Sequence, residues 1–452
     1  MSAIDGFVIA PKPAAHFGAG AIEQLPAIIR ATGAEAVVVV TEEALASTPV
    51  MATVRAVLAD AGLPARVFSG VHQDLTTDDI AAGAQAVAEA AAGAAAADRA
   101  ATVAATLKPT APLAAVAATL MPTAPLTTPE SALASSATSV ALAPSFPRIV
   151  LVAVGGDSPI DAAKGIAIAA VNPQRGRDLD CRGGFAVPAL PIVAVPTTAG
   201  TGAETSAFGA VTDPVAHRRF YVGHASSMPA AAILDPALTV GLPPAATAAA
   251  GLDALTSALE SYLSGRPNPW SDGIALQVIR MIAASLPRAC ADGADLAARS
   301  QMLLAAHMAG VAMANTGLGL CHVIGHSLGG RCNIASGEAL AMLLPEVLRF
   351  YLPVRIERLA GVAFALGVGD THADTWLNAE AAIGAVTALR DEVGLTRLIG
   401  DFGLTEADFA QIAAGALDDE VLANAPRQPT AGDIGAILLA AGGGRAVTSR
   451  RP

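Results

Sequence analysis

A run of apolar residues at 149–154 stops abruptly at Gly155-Gly156-Asp157-Ser158, and a helical pattern follows at once. This run is too short for a membrane span, which needs roughly 20 apolar residues, and it does not alternate as a half-exposed strand would. It reads as a strand buried on both faces, as parallel sheets require. Strand, glycine turn and helix in that order leave unpaired N–H groups at a helix N-terminus, where a phosphate can be held. Ser158 is placed to cap this helix, with Pro159 at its first position. A Gly-Gly turn is by itself weak evidence of a ligand, because many such turns are only turns.

The same alternation surrounds it. Residues 36–40 form a short apolar run ending at Thr41-Glu42-Glu43, residues 65–68 a second strand, and 79–92 a helix. Further strands are expected at 191–196, 208–212 and 231–234. From Pro243 onward the spacing turns helical, at 245–264, 271–289, 295–315, 320–329 and 337–350. Two domains are expected from 452 residues. Residues 1–185 are the α/β dinucleotide-binding domain. Residues 186–452 are a mainly α-helical domain whose opening strands, to about 235, pack back on the first. Residues 92–146 interrupt this plan. They are rich in Ala, Pro, Thr and Ser and repeat VAATLKPTAPL as VAATLMPTAPL, which reads as a low-complexity surface insertion.

Composition narrows the function. The chain is 53% hydrophobic, much of it alanine, and its apolar runs are short, so no membrane span is expected. A formal net charge of −12 argues against nucleic acid or an anionic membrane surface as partner. Four cysteines, Cys181, Cys290, Cys321 and Cys332, form no CxxC pair and read as reduced thiols in a cytoplasmic protein. No signal peptide is read at the N-terminus. Asp161 and Lys164 lie three apart on the helix after the glycine turn, as a surface ion pair would. Pro196-Thr197-Thr198-Ala199-Gly200-Thr201-Gly202-Ala203-Glu204 follows a strand and is dense in hydroxyls and glycine.

Six segments in order resemble the iron-containing (group III) alcohol dehydrogenases: Gly155–Lys164 their GGGSxxDxAK signature, Pro196–Glu204 their PTTAGTxxE loop, Leu234–Thr239 their DPxLT segment, Gly251-Leu252-Asp253-Ala254-Leu255-Thr256 their GxDALTH helix, Cys321–Gly330 their HxxxHxLG helix, and Asn424–Thr430 their N-P-R-x-x-T segment with one insertion. The resemblance implies the dehydroquinate synthase-like architecture: a dinucleotide-binding α/β domain, a helical domain and a site between them. It implies NAD, with NADP as the alternative, held by Glu42, Gly155, Gly156, Ser158, Asp161, Lys164, Thr197, Thr198 and Thr201. A carboxylate at Glu42 accepts from ribose hydroxyls and repels a 2′-phosphate. Asp157 stands where the family has a third glycine, unfavourably close to a pyrophosphate.

The resemblance also implies a divalent metal, iron or zinc, on one aspartate and three histidines. The matching positions here are Asp253, Ser257, His322 and Ser336. A serine hydroxyl is a poor ligand for a metal that prefers imidazole, so the site is expected to be weak or lost. His322 and His326, four apart on one helix face, are the candidate proton donors. Arg331 occupies a position that is commonly aromatic in the family; facing the pocket it would select an anionic substrate. The expected activity is NAD(P)-dependent interconversion of an alcohol and an aldehyde or ketone in a homodimer or higher oligomer acting on a small molecule. The alternative is a metal-free relative, such as a maleylacetate reductase-like enzyme or a protein that no longer oxidises simple alcohols.

Overall fold

The computed structural model describes residues 9, 13–106, 148–172, 179–215, 218–332 and 334–444. The chain opens with β1 (Ala14–Phe17), α1 (Leu25–Ala31), β2 (Ala36–Glu42), α2 (Glu43–Ala46), α3 (Pro49–Asp60), β3 (Ala65–Val71) and α4 (Thr77–Thr106). It continues with β4 (Ile149–Gly155), α5 (Asp157–Ala169), β5 (Ile192–Pro196), β6 (Phe208–Asp213), β7 (Arg218–Gly223) and β8 (Ala231–Leu234). Eight helices follow: α6 (Pro244–Leu263), α7 (Pro269–Ala291), α8 (Leu296–Thr316), α9 (Leu320–Cys332), α10 (Ser336–Ala365), α11 (Thr375–Glu392), α12 (Glu406–Asp418) and α13 (Ala431–Ala441). An α/β domain followed by a helical domain is the architecture expected from the sequence.

Six strands form one parallel sheet in the order β1-β8-β5-β4-β2-β3. Both faces are apolar, which explains the unbroken runs in the sequence. Val38, Val40, Leu151 and Ala153 pack under α4 and α5 on one side. Val37, Val39, Val150, Val152 and Val193 pack with Leu25, Ile29, Val54 and Leu58 of α1 and α3 on the other. From β2 the chain steps outward to β3, then returns past β2 to β4, β5 and β8. The connection reverses between β2 and β4, and a crevice for a ligand opens beyond the carboxyl ends of two such strands. Glu42 ends β2 and Gly155 ends β4.

The strands after residue 185 pack back on the first domain: β5 and β8 pair within the same sheet, which runs to Leu234. Several sequence expectations are corrected here. β6 is outside that sheet and forms an antiparallel hairpin with β7, which the sequence reading missed. The helix expected at 79–92 runs to Thr106, into the segment read as insertion; residues 107–146 lie outside the described residues. By length and composition α7 could cross a membrane, contrary to the sequence reading, but it is packed between α6 and α8 with 44% of its most apolar window buried.

Asp161 and Lys164 are also not a surface pair. Lys164 is fully buried, and its ammonium donates to Asp161 Oδ1 at 2.8 Å, Ala203 O at 2.9 Å and Phe208 O at 2.8 Å. Asp161 Oδ2 accepts from the Ala210 N–H at 3.0 Å. All three ammonium hydrogens are thereby used, and the pair clips the β5–β6 loop and the β6 hairpin to α5. Removing one partner of such a buried pair strands the other charge and its neighbouring carbonyls. Lys164→Met is therefore expected to lower unfolding stability by about 3 kcal/mol, read by urea or thermal denaturation. An unchanged midpoint would show that the clip is idle.

Candidate active site

The first half of the site is the crevice at the β2–β4 reversal. Gly155 has φ +149°, and a Cβ there would lie 2.5 Å from Pro159 Cγ, so only glycine fits the turn. Gly156, not Ser158, is the N-cap of α5. Ser158 lies within the first turn and its hydroxyl donates to Gln73 O at 2.8 Å, bracing the loop after β3 rather than capping. The Thr197 N–H donates to Gly155 O at 2.9 Å, which sets the threonine loop beside the glycine turn. Thr198 lies across from Gly156, and Thr201 Oγ1 accepts from the Ala203 N–H at 3.3 Å. Glu42 is half-buried, and burial raises its carboxyl pKa above the ordinary value. These residues fit a dinucleotide: a side-chain-free turn, the N-terminus of a 13-residue helix and a carboxylate on the neighbouring strand. Asp161 and Lys164 do not join them, because both are consumed by the clip beneath the loop.

The second half hangs on α9. Glu260 of α6 is buried, and its carboxylate accepts from the backbone N–H groups of Gly319 at 2.8 Å and Cys321 at 2.5 Å. The same carboxylate lies 2.6 Å from His322 Nδ1. A carboxylate therefore satisfies the unpaired donors that open α9 and anchors the imidazole of its first turn. On the other side of the ring, His322 Nε2 lies 3.6 Å from Asp253 Oδ1. Burial opposes charge on His322, but Glu260 and Asp253 outweigh it and push its pKa up to about 10. Glu260 escaped the sequence reading. The signal was present: it follows Asp253 by seven residues, two turns along the same helix face, with no other charged residue between them.

Ser336 and His322 both meet Asp253, and Ser257 lies one turn along the same helix, so the four positions that the resemblance assigns to a metal are gathered. Ser336 Oγ donates to Asp253 Oδ2 at 3.4 Å, while Asp253 Oδ1 and Ser257 Oγ are buried without a hydrogen-bond partner. The donor set is one carboxylate, one imidazole already committed on Nδ1, and two hydroxyls. Among the described residues, no group of three or more His, Cys, Asp or Glu side chains is placed to hold a metal ion. This set does not fit iron or zinc, which are held by imidazole, thiolate and carboxylate.

His326 lies one turn further along α9, its ring centroid 6.0 Å from that of His322 and its plane inclined 66° to it. It lines a cavity of about 1000 Å³ between the β6–β7 hairpin of the sheet domain and α9 and α12 of the helical domain. The cavity walls carry Asp74, Asp180, Asp408, Asp418, Asp419 and Glu420, against Arg182, which is itself bonded to Asp180. Arg331 belongs to α9, but its side chain lies outside the described residues. The threonine loop meets the helical domain where Glu204 Oε1 lies 3.0 Å from His307 Nδ1 of α8, both buried. A Cβ on Gly202 would lie 2.7 Å from Ala306 O, so the loop lies directly on the α8 backbone. Sequence reasoning assigned no role to Glu204, His307 or Asp419.

With this geometry, similarity to known proteins is specific. The family described as iron-containing alcohol dehydrogenase matches residues 12–97 and 123–236, and the Fe-containing alcohol dehydrogenase family, C-terminal, matches residues 247–442. The chain is 42% identical over 292 residues to a probable alcohol dehydrogenase EutG from Salmonella typhimurium, covering 65% of this chain and 72% of that protein. It is 40% identical over 292 residues to a 1,3-propanediol dehydrogenase from Klebsiella pneumoniae, covering 64% and 75%. Among solved structures, a 1,3-propanediol oxidoreductase superposes with a TM-score of 0.80 at 30% identity, covering 97% of this chain and 100% of that one. An alcohol dehydrogenase from Oenococcus oeni superposes with a TM-score of 0.78 at 28% identity, covering 97% and 100%. The chain is an alcohol dehydrogenase that belongs to the iron-containing alcohol dehydrogenase family.

Proposed function

We propose that this oxidoreductase interconverts a small, uncharged alcohol and its aldehyde or ketone with NAD, and does so without a tightly held transition metal. The observation that carries the reading is the donor set around Asp253. Two hydroxyls stand where the family resemblance places imidazoles, which leaves one imidazole and one carboxylate as ligands of the kind iron or zinc takes. The preference for NAD rests on Glu42, whose carboxylate would repel a 2′-phosphate.

Gly155, Gly156 and the first turn of α5 would hold the pyrophosphate, Glu42 the adenosine ribose, and Thr197, Thr198 and Thr201 the side of the dinucleotide facing the cleft. Bound there, NAD supplies the hydride acceptor, or as NADH the donor. The chain's own part is to orient the substrate and manage one proton. In the reduction direction His326 donates a proton to the oxygen that becomes the alcohol, and in oxidation it takes one back. A neutral substrate is favoured over an anionic one because the described cavity wall is acidic.

Two outcomes test this. Protein dialysed against a strong chelator is expected to bind NADH, seen as a change in nicotinamide fluorescence, and to reduce aldehydes at an undiminished rate. Failure to bind NADH removes the cofactor reading, and activity lost on chelation and regained with iron or zinc removes the metal-free one. His326→Ala is expected to lower turnover roughly a hundredfold or more, whereas a rate equal to the parent's would exclude His326 as the proton donor.

A further inference from the structure

We propose that Asp419, in the turn after α12, is a positioning residue for His326, holding its Nδ1 side so that Nε2 is left for the substrate. This rests on the reading of His326 as the proton donor. The geometry of the carboxylate points to it. Asp419 is the N-cap of the short 3₁₀ turn Glu420–Asn424, and its Oδ1 accepts from the Val421 N–H at 3.0 Å. That bond fixes the plane of the carboxyl group and presents Oδ2 in one direction. Oδ2 lies 3.9 Å from His326 Nδ1, with both side chains largely buried, at 17% and 16% exposure. A distance of this size is common in a site without substrate and shortens when the reacting complex forms.

A third group converges on the same carboxylate. Tyr221 of β7, on the sheet-domain side of the cleft, lines the same cavity as Asp419 and His326 and helps to lower the pKa of this carboxyl. Burial pushes the Asp419 pKa up, but the nearby His326, the Val421 N–H and Tyr221 outweigh it and hold the carboxyl below its ordinary value. Asp419 is therefore a carboxylate at neutral pH, able to accept from an imidazole N–H. A carboxylate on Nδ1 selects the tautomer and fixes the ring plane, so the other nitrogen points in a defined direction. Here α9 supplies the imidazole and the turn after α12 the carboxylate, so the pair forms only where α12 packs on α9.

The bland alternative is that Asp419 only caps its own turn. Asp419→Asn separates the two roles, because asparagine is an equally good N-cap and nearly the same shape but carries no charge. Turnover is measured in His326→Ala, Asp419→Asn and the double variant, alongside NADH affinity for each. Asp419→Asn is expected to lower kcat about tenfold or more, with NADH affinity unchanged. The double variant is expected to be no slower than His326→Ala alone, since a residue acting through His326 has nothing to act on once the ring is gone. An unchanged kcat in Asp419→Asn overturns the proposal, as does the same loss repeated in the His326→Ala background. If His326→Ala is itself unimpaired, the reading beneath the proposal fails with it, which is a distinct result.

Discussion

Glu260 holds the first turn of α9 from within α6, and both histidines of the site ride on that helix. A buried carboxylate is tolerated only with its oxygens satisfied, and here two backbone N–H groups and one imidazole satisfy them. The arrangement also depends on Gly319, where a Cβ would lie 2.8 Å from the Glu260 carboxyl carbon. Loss of this carboxylate would leave the opening N–H groups of α9 buried and unpaired. It would also free the His322 ring to turn, and His326 one turn on would lose its fixed base.

The other half of the site reaches α9 through contacts between domains. The β5–β6 loop is held from below by Lys164 and lies on α8 through Gly202, with Glu204 and His307 as the polar tie. The glycine turn, the threonine loop and the wall of the acidic cavity thus share one frame with the histidine helix. The Asn424–Thr430 segment adds a brace on the far side. The Asn424 amide donates to Leu318 O, and the Arg427 guanidinium lies over the Phe350 ring at 4.0 Å.

Much of this was legible beforehand. Unbroken apolar runs gave the parallel strands, because both faces of the sheet are covered, and helical spacing placed four of the five helices it bounded within a few residues at each end, while the fifth, α10, runs on to Ala365. β1 and β7 were not legible, since Ala14–Phe17 is largely exposed and carries no apolar pattern, and the β7 hairpin lies outside the main sheet. Lys164 was misread because an i,i+3 ion pair looks the same in sequence whether it is exposed or buried. Ser158 was misread as a cap because the helix begins two residues earlier than Pro159 suggested. Glu260, His307 and Asp419 were missed for a common reason. Each acts on a partner at least 60 residues away, and spacing along the chain records no such contact.

The buried residues around Asp253, one carboxylate, one imidazole and two hydroxyls, are a poor donor set for a transition metal. Elemental analysis of the purified native chain beside a Ser257→His/Ser336→His double variant tests it most directly. The native chain is expected to carry far less than one iron or zinc per molecule. The double variant, with three imidazoles and a carboxylate at the same positions, is expected to approach about one ion per molecule. A native chain already holding a full equivalent, resistant to dialysis, would contradict the account.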